Sequence, residues 1–400
     1  VTPMIRTLLV LLAFAAPAAA QAPSTGGSAR LAADLERALA LDAPARSLLG
    51  ARRAAEARGA IARSPVAGPP AILGGGRTDL RGPDRAREFD LEAAAPVWLP
   101  GQRDAIRGTV ATAVKEVDRR LAGRRLEVAA LLREAWWDAE LARRDLGVAR
   151  DRLATARDIA RDIRRRAELG DLSGQEALLG EAESLAAQSE LARAEAALAA
   201  ARLAYATLTG GSEPPPGTPE RPAVAAFHPA VRAAEAGLAA AQARRQLVLA
   251  TPRDNPEVGV YGRHEAGLAA SESSSVGVRV RIPLATEQRN APRRAEAEAE
   301  VTRAEAELAA QRRLRAAEVE GARAALAAAE RFAGLARERA RVAAQQSDGA
   351  RRAFGQGEIG AFDLFRVRQI ALEAQGARAR AETDLGRARS RLNGALGAEP

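Results

Sequence analysis

Cysteine is absent from all 400 residues. That excludes disulfides, thiolate metal sites, a thiol nucleophile and a lipid-modified N-terminal cysteine. It leaves the compartment open, because an oxidising space does not require disulfides. Histidine occurs only as His228 and His264, neither with a neighbouring acid or serine pattern, so no catalytic triad is expected. The single methionine, Met4, sits in the apolar N-terminal stretch, and the rest of the chain offers no thioether to a soft ion such as Cu(I). Lysine is reduced to Lys115, and aromatics make up 3% of the chain. The sequence therefore predicts no enzyme, no cofactor and no metal site. Beyond the N-terminal stretch it also lacks any run of about 18 apolar residues, the length that marks a membrane-spanning helix.

What is present is alanine, leucine, glutamate and arginine at helical spacing, a composition that favours long helices and coiled coils over compact globules. Alanine supplies much of the apolar fraction and offers little area to bury. The net charge of +9 arises from arginines interleaved with acids, as in RDRLATARDIARDIRRRAE (150–168). Such spacing places opposite charges three and four residues apart on solvated helix faces. No basic patch with stacking groups accompanies them, so nucleic acid is excluded as a partner. The N-terminal MIRTLLVLLAFAAPAAAQAP pairs Arg6 with an apolar core and small residues at Ala18 and Ala20, the pattern of a secretory signal over 1–20.

The chain is written twice. Pro44 and Pro229, Pro65 and Pro252, Gln102-Arg103 and Gln288-Arg289, Gly170 and Gly357, and Gly210 and Gly397 all lie 185 to 187 residues apart. A first repeat over 21–208 and a second over 224–400 are joined by the Gly/Pro-rich linker 209–223. Each repeat predicts an opening helix (45–63 and 229–250), a β-hairpin, a very long helix, a Gly-acid turn and a return helix. The first strands are expected near 66–73 and 257–263, with turns at 74–76 and 266–275. The second strands alternate strictly. Val276, Val278, Val280 and Ile282 alternate with Gly277, Arg279 and Arg281, and Phe89, Leu91, Ala93, Ala95, Val97 and Leu99 alternate with Glu88, Asp90 and Glu92. Period two gives one apolar and one charged face, which suits lipid on one side and water on the other or an amphipathic hairpin packed on the helices. Trp98 and Tyr261 are candidate interface aromatics.

The long helices carry heptads. Leu132, Ala139, Leu146, Leu153, Ala160 and Ala167 alternate with Ala135, Ala142, Ala149, Ala156 and Ile163, and Leu191, Leu198 and Tyr205 with Ala194, Ala201 and Leu208 continue the seam on the return helix. Trp136 and Trp137 are expected to anchor packing. From Gln102 to Gly170 and from Gln288 to Gly357, each helix runs about 100 Å at 1.5 Å per residue. Rods of that length cannot fold into a globule, so several copies side by side are expected to close into a tube.

The two turns LGDLSGQEALL (169–179) and QGEIGAFDLF (356–365), the strand-to-helix junctions ending in QR, the HPAV helix start and the LNGALG terminus together resemble the outer-membrane efflux, TolC-type family. TPRDNPEVGVYGR followed by SVGVRVRIPLATEQRNAPRRAEAEAE is similar to its heavy-metal branch, which serves cobalt–zinc–cadmium or copper–silver pumps. The resemblance covers residues 31–397. It implies a mainly α fold with a small β part: duplicated long antiparallel helical hairpins plus two β-hairpins, assembled as a homotrimer with an α-helical tunnel and a 12-stranded barrel in outer-membrane lipid. It further implies a passive exit duct in the outer membrane, working with a periplasmic adaptor (membrane fusion) protein and an inner-membrane resistance-nodulation-division transporter. Gly170, Asp171, Leu172, Ser173, Gly357, Glu358, Ile359 and Gly360 would then be adaptor-contacting tips, with Ser173 or Asp363 capping the return helix. Arg279, Arg281 and Asp363 would line the pore, and Val276, Val278, Val280 and Ile282 would face lipid. A duct for secreted polypeptides fits the same fold, and a periplasmic coiled coil without a barrel fits the helices alone.

Overall fold

The computed structural model describes residues 26–81, 86–215, 220, 223, 227–267 and 272–400. The expected secretory signal and parts of the linker and strand turns lie outside them.

Among the described residues, seven helices and four strands follow one another in two similar halves. The first helix, α1 (Gly26–Leu41), precedes the duplication. Then come α2 (Ala43–Arg63), β1 (Ala71–Thr78), β2 (Arg87–Pro96), the 67-residue α3 (Gln102–Glu168) and α4 (Gly174–Thr209). The second half repeats them as α5 (Pro229–Ala250), β3 (Glu257–Ala266), β4 (Ser273–Arg281), the 70-residue α6 (Glu287–Gln356) and α7 (Ala361–Ala395).

Chain chemistry sets the boundaries. Asp42 caps α2 by accepting the Ala45 amide at 2.9 Å, and His228 Nδ1 caps α5 by accepting the Ala230 amide at 3.2 Å. In both, proline occupies the first turn, where its missing N–H costs nothing. Four helices end on a glycine with positive φ: Gly170 (85°), Gly210 (73°), Gly357 (79°) and Gly397 (83°). At each, the next residue's amide reaches back five residues: Asp171 to Arg166, Gly211 to Ala206, Glu358 to Ala353 and Ala398 to Asn393. These are Schellman closures, which favour glycine. The duplicated glycines of the sequence are thus duplicated helix ends.

The return helices are half as long as α3 and α6, and the opening helices fill the remaining length. Near the sheet α2 lies on α3, with Arg103 Nε donating to the Ala62 carbonyl at 2.7 Å and Arg52 paired with Asp118 at 2.8 Å. Farther out α4 takes over, with Arg152 paired to Glu190. Similarly α5 and then α7 lie between α3 and α6. A Cβ at Gly397 would sit 3.0 Å from Pro229, so the end of α7 abuts the start of α5. The result is a palisade of a broken rod (α2 and α4), α3, a second broken rod (α5 and α7), and α6.

The α3 seam is as the heptads require. Leu132, Ala139, Ala142, Leu146, Ala149, Leu153, Ala156 and Ile163 are buried, and Leu198 and Tyr205 of α4 answer them. Trp137 donates to Ser390 Oγ of α7 at 2.9 Å, tying the two repeats together, and Trp136 donates to the Pro215 carbonyl at 2.8 Å. Leu31, Leu35 and Ala38 of α1 close this core. There the buried Tyr205 hydroxyl donates to Asp34 at 2.7 Å, and burial pushes its pKa up.

Several expectations need correction. No helix was expected ahead of residue 45, yet α1 packs on α3 and α4. The first strand runs over 71–78, not 66–73, and Gly74, Gly75 and Gly76 pair with Leu91, Asp90 and Phe89 inside the ladder instead of forming its turn. Glycine strands are tolerated at an edge, and β1 is one. The apolar alternation of β2 stops at Pro96, and Leu99 is buried beside Gln102, whose side chain accepts the Leu99 amide. Trp98 donates to the Ser64 carbonyl at the sheet's base.

Candidate functional site

Two surfaces carry the candidate tip, pore-lining and lipid-facing residues: the helical tip farthest from the sheet, and the sheet itself.

At the tip the structure brings both Gly-acid turns together. Leu172 of one and Ile359 of the other pack into one cluster with Ile163, Phe354, Ala361 and Leu364. Arg166 stacks over the Phe354 ring at 4.6 Å and donates to its carbonyl at 3.2 Å, which bridges α3 to α6. This apolar plug leaves Gly170, Asp171, Ser173, Gly357, Glu358 and Gly360 exposed at the end of the rods. Ser173 caps α4 through a reciprocal box: its Oγ accepts the Glu176 amide, and Glu176 accepts the Ser173 amide at 2.9 Å. The Ser173 amide first, and then the Ser173 hydroxyl donating to the same carboxylate at 3.0 Å, hold the Glu176 carboxyl below its ordinary pKa. Asp363 does not cap α7. Its N-cap is Gly360, which has no side chain to accept an amide, and Asp363 lies exposed in the first turn. The acid there still complements the helix dipole. Sequence reading missed Leu169 and Phe362, which are 70% and 67% exposed at the tip. It also missed Glu176, although serine followed three residues later by glutamate is a capping-box signal.

The four strands form one antiparallel sheet in the order β1-β2-β3-β4, so the hairpins of the two repeats join through β2 and β3. Register places Ile72, Ala93, Val260 and Val278 in one cross-strand row, and Leu91, Gly262 and Val276 in the next. Val276, Val278 and Val280 are 81%, 67% and 56% exposed, and Phe89 and Leu91 are exposed too. Among the described residues no helix covers this apolar face in the single chain. Ile282 is exposed just beyond the end of β4.

The opposite face carries charge paired across strands. Asp90 meets Arg263 at 2.8 Å, Glu257 meets Arg281 at 3.6 Å, and Glu92 meets Arg279. Arg279 also lies over the Tyr261 ring at 5.0 Å. Tyr261 in turn covers Gly277, where a Cβ would fall 2.6 Å from the ring. Arg279 and Arg281 therefore share the face opposite the valines, as their alternation requires, while Asp363 belongs to the distant tip. Among the described residues, β1 and β4 each have one side without a strand partner.

Among the described residues no helix is long and apolar enough to cross a membrane. Nor is any group of three or more histidines and acids placed to hold a metal ion.

This architecture defines a class: rod-like paired helical hairpins bearing a small sheet at one end. Solved structures share it. A membrane protein from Pseudomonas aeruginosa superposes with a TM-score of 0.74 at 19% identity, covering 93% of this chain and 91% of that one. The outer membrane protein VceC from Vibrio cholerae gives 0.72 at 15% identity, covering 93% and 97%. The MtrE outer membrane channel of Neisseria gonorrhoeae, in its open state, gives 0.66 at 19%, covering 92% and 89%. No curated protein sequence is similar enough to count as a relative. More particularly, residues 223–398, the second repeat, match the family described as outer membrane efflux protein.

Proposed function

We propose that the protein is the outer-membrane channel of a tripartite efflux pump, a passive duct that provides a hydrated path and performs no chemistry. The observation that carries this reading is the sheet: one face exposes an apolar surface while the other pairs charges across β2, β3 and β4. In water such an apolar surface is a liability, and two unpaired strand edges add a second one. Closing into a barrel removes both. With four strands per chain, three chains give twelve, and the exposed flank of α6 meets the next copy's α2 and α4 to complete a helical tunnel. Val276, Val278, Val280 and Ile282 then face lipid, and Arg279 and Arg281 line the lumen.

The tip turns, with Gly170, Asp171, Leu172 and Ser173 beside Gly357, Glu358, Ile359 and Gly360, would dock a periplasmic adaptor. An inner-membrane resistance-nodulation-division transporter would deliver the cargo. The sequence resemblance to the heavy-metal branch favours metal cations, which would pass uncoordinated, since the chain beyond Met4 offers them no thiolate or thioether.

The test is extraction and conductance. Detergent-solubilised protein is expected to run as a trimer and to give stable single-channel currents in planar bilayers. A detergent-free monomer without conductance would refute the channel. Cobalt, zinc, cadmium, copper or silver sensitivity of a deletion strain then tests the cargo separately.

A further inference from the structure

Near the tip, α3, α6 and α7 enclose a cleft of about 400 Å³ between Phe354 and Leu364 on one side and the α3 backbone ridge at Thr155 on the other. Besides Arg166 of α3, two arginines enter it from the other helices, Arg351 from α6 and Arg368 from α7. Most arginines of this protein meet a carboxylate, yet neither of these has one within ion-pair distance among the described residues. Arg368 donates only to hydroxyls, to Ser347 at 3.0 Å and Thr155 at 3.2 Å, and its Nε is buried with no partner. Arg351 makes no side-chain hydrogen bond there.

The acids on the cleft wall are already engaged: Asp158 pairs with Arg161 and Asp162 with Arg166. Burial and the nearby positive charge of Arg351 lower the pKa of Arg368, with Asp348 opposing weakly. Two guanidinium groups lining one cleft with no carboxylate in ion-pair contact, one of them partly desolvated, are an arrangement that gains from an anion. The two hydroxyls orient the Arg368 fork, and the cleft volume exceeds that of a phosphate or carboxylate group many times over, so a larger molecule bearing one also fits.

We propose that this cleft is an oxyanion site in which Arg351 and Arg368 together hold a phosphate or carboxylate group. A bound anion would tie α6 to α7 where α7 already touches α3 through Thr155, stiffening the end of the rods. The site follows from the packing of three helices within one chain and stands whether or not the protein conducts.

The experiment uses the full-length protein in detergent, titrated calorimetrically with inorganic phosphate and, in parallel, with acetate, against chloride at equal ionic strength. Saturable binding of either oxyanion is expected, and it should weaken about tenfold or more in Arg351→Gln, since each charge-assisted contact contributes strongly. Arg351 is exposed and unpaired, so this variant should keep its fold, as circular dichroism will verify. Arg368→Lys retains charge but loses the fork and should also bind more weakly. Phosphate binding alone would mark a free inorganic or phosphorylated ligand, and acetate binding a carboxylate one. No binding above chloride, or binding unchanged in both variants, overturns the site.

Discussion

Single positions in this protein often carry a constraint that only a neighbour explains. Gly277 sits on an edge strand where glycine packs poorly, yet the Tyr261 ring fills the space a side chain would take. Gly277→Val is therefore expected to cost about 1–3 kcal/mol through forced displacement of that ring. The double variant with Tyr261→Ala should lose much of the added cost, which denaturant melts of the four proteins will check. Asp42 and His228 occupy the same cap position in the two repeats but titrate differently. Arg124 beside Asp42 holds its carboxyl below the ordinary value. Burial first, and then the positive charge of Arg315, lower His228, which accepts the Ala230 amide only while Nδ1 is unprotonated. Unfolded imidazole takes a proton below about pH 6.5 and the folded one resists. The stability His228 contributes is thus present above that pH and declines as pH falls toward its lowered folded value. His228→Asn preserves a side-chain acceptor without titrating, so the loss of thermal stability between pH 7 and 5 should be smaller in the variant than in the native chain.

At the scale of elements, the two tips reach the same Schellman geometry but start their return helices differently. The first has the Ser173–Glu176 box, while the second begins at Gly360 with no side-chain cap. Ser173→Ala should cost about 1 kcal/mol, whereas Gly360→Ser should stabilise α7 if the hydroxyl reaches the Asp363 amide. Gly170→Ala and Gly357→Ala each force a left-handed residue and should cost about 1–2 kcal/mol. Amide exchange at the first turns of α4 and α7 reads all four effects locally. These elements also show what a sequence discloses. Helix ends were visible because a glycine with an obligatory positive φ leaves a mark that repeats at a fixed offset, and the α3 seam because buried positions recur every seven residues. The α1 helix was missed because its short run of Leu31, Leu35 and Ala38 has no counterpart in the second repeat. Gly74, Gly75 and Gly76 read as a turn in sequence because glycines reveal no face, and only pairing with Leu91, Asp90 and Phe89 makes them a strand. The meeting of Arg351 and Arg368 was invisible, since it depends on how α6 and α7 align side by side.

For the whole molecule the question is which solvent faces the valines of β4. Val278 lies in the middle of that strand, 67% exposed in the single chain, in a row with Val260, Ala93 and Ile72. If water were its permanent neighbour, Val278→Arg would be nearly silent, because an exposed arginine has no desolvation to suffer and strand pairing uses the backbone. If lipid is its neighbour, the same change places a charge near the middle of the apolar band. Such a substitution in an outer-membrane barrel costs about 2–4 kcal/mol at the bilayer midplane, incurred once per chain and so three times in a trimer. The adjacent exchange Arg279→Gln removes charge from the opposite face, leaving Glu92 without its partner but putting nothing polar into lipid. Val278→Arg should therefore sharply reduce the heat-stable trimer recovered from membranes, while Arg279→Gln should leave assembly intact and alter ion selectivity. Equal trimer yields for Val278→Arg and the native chain would mean that the valine face meets water or protein, and the barrel would have to be abandoned.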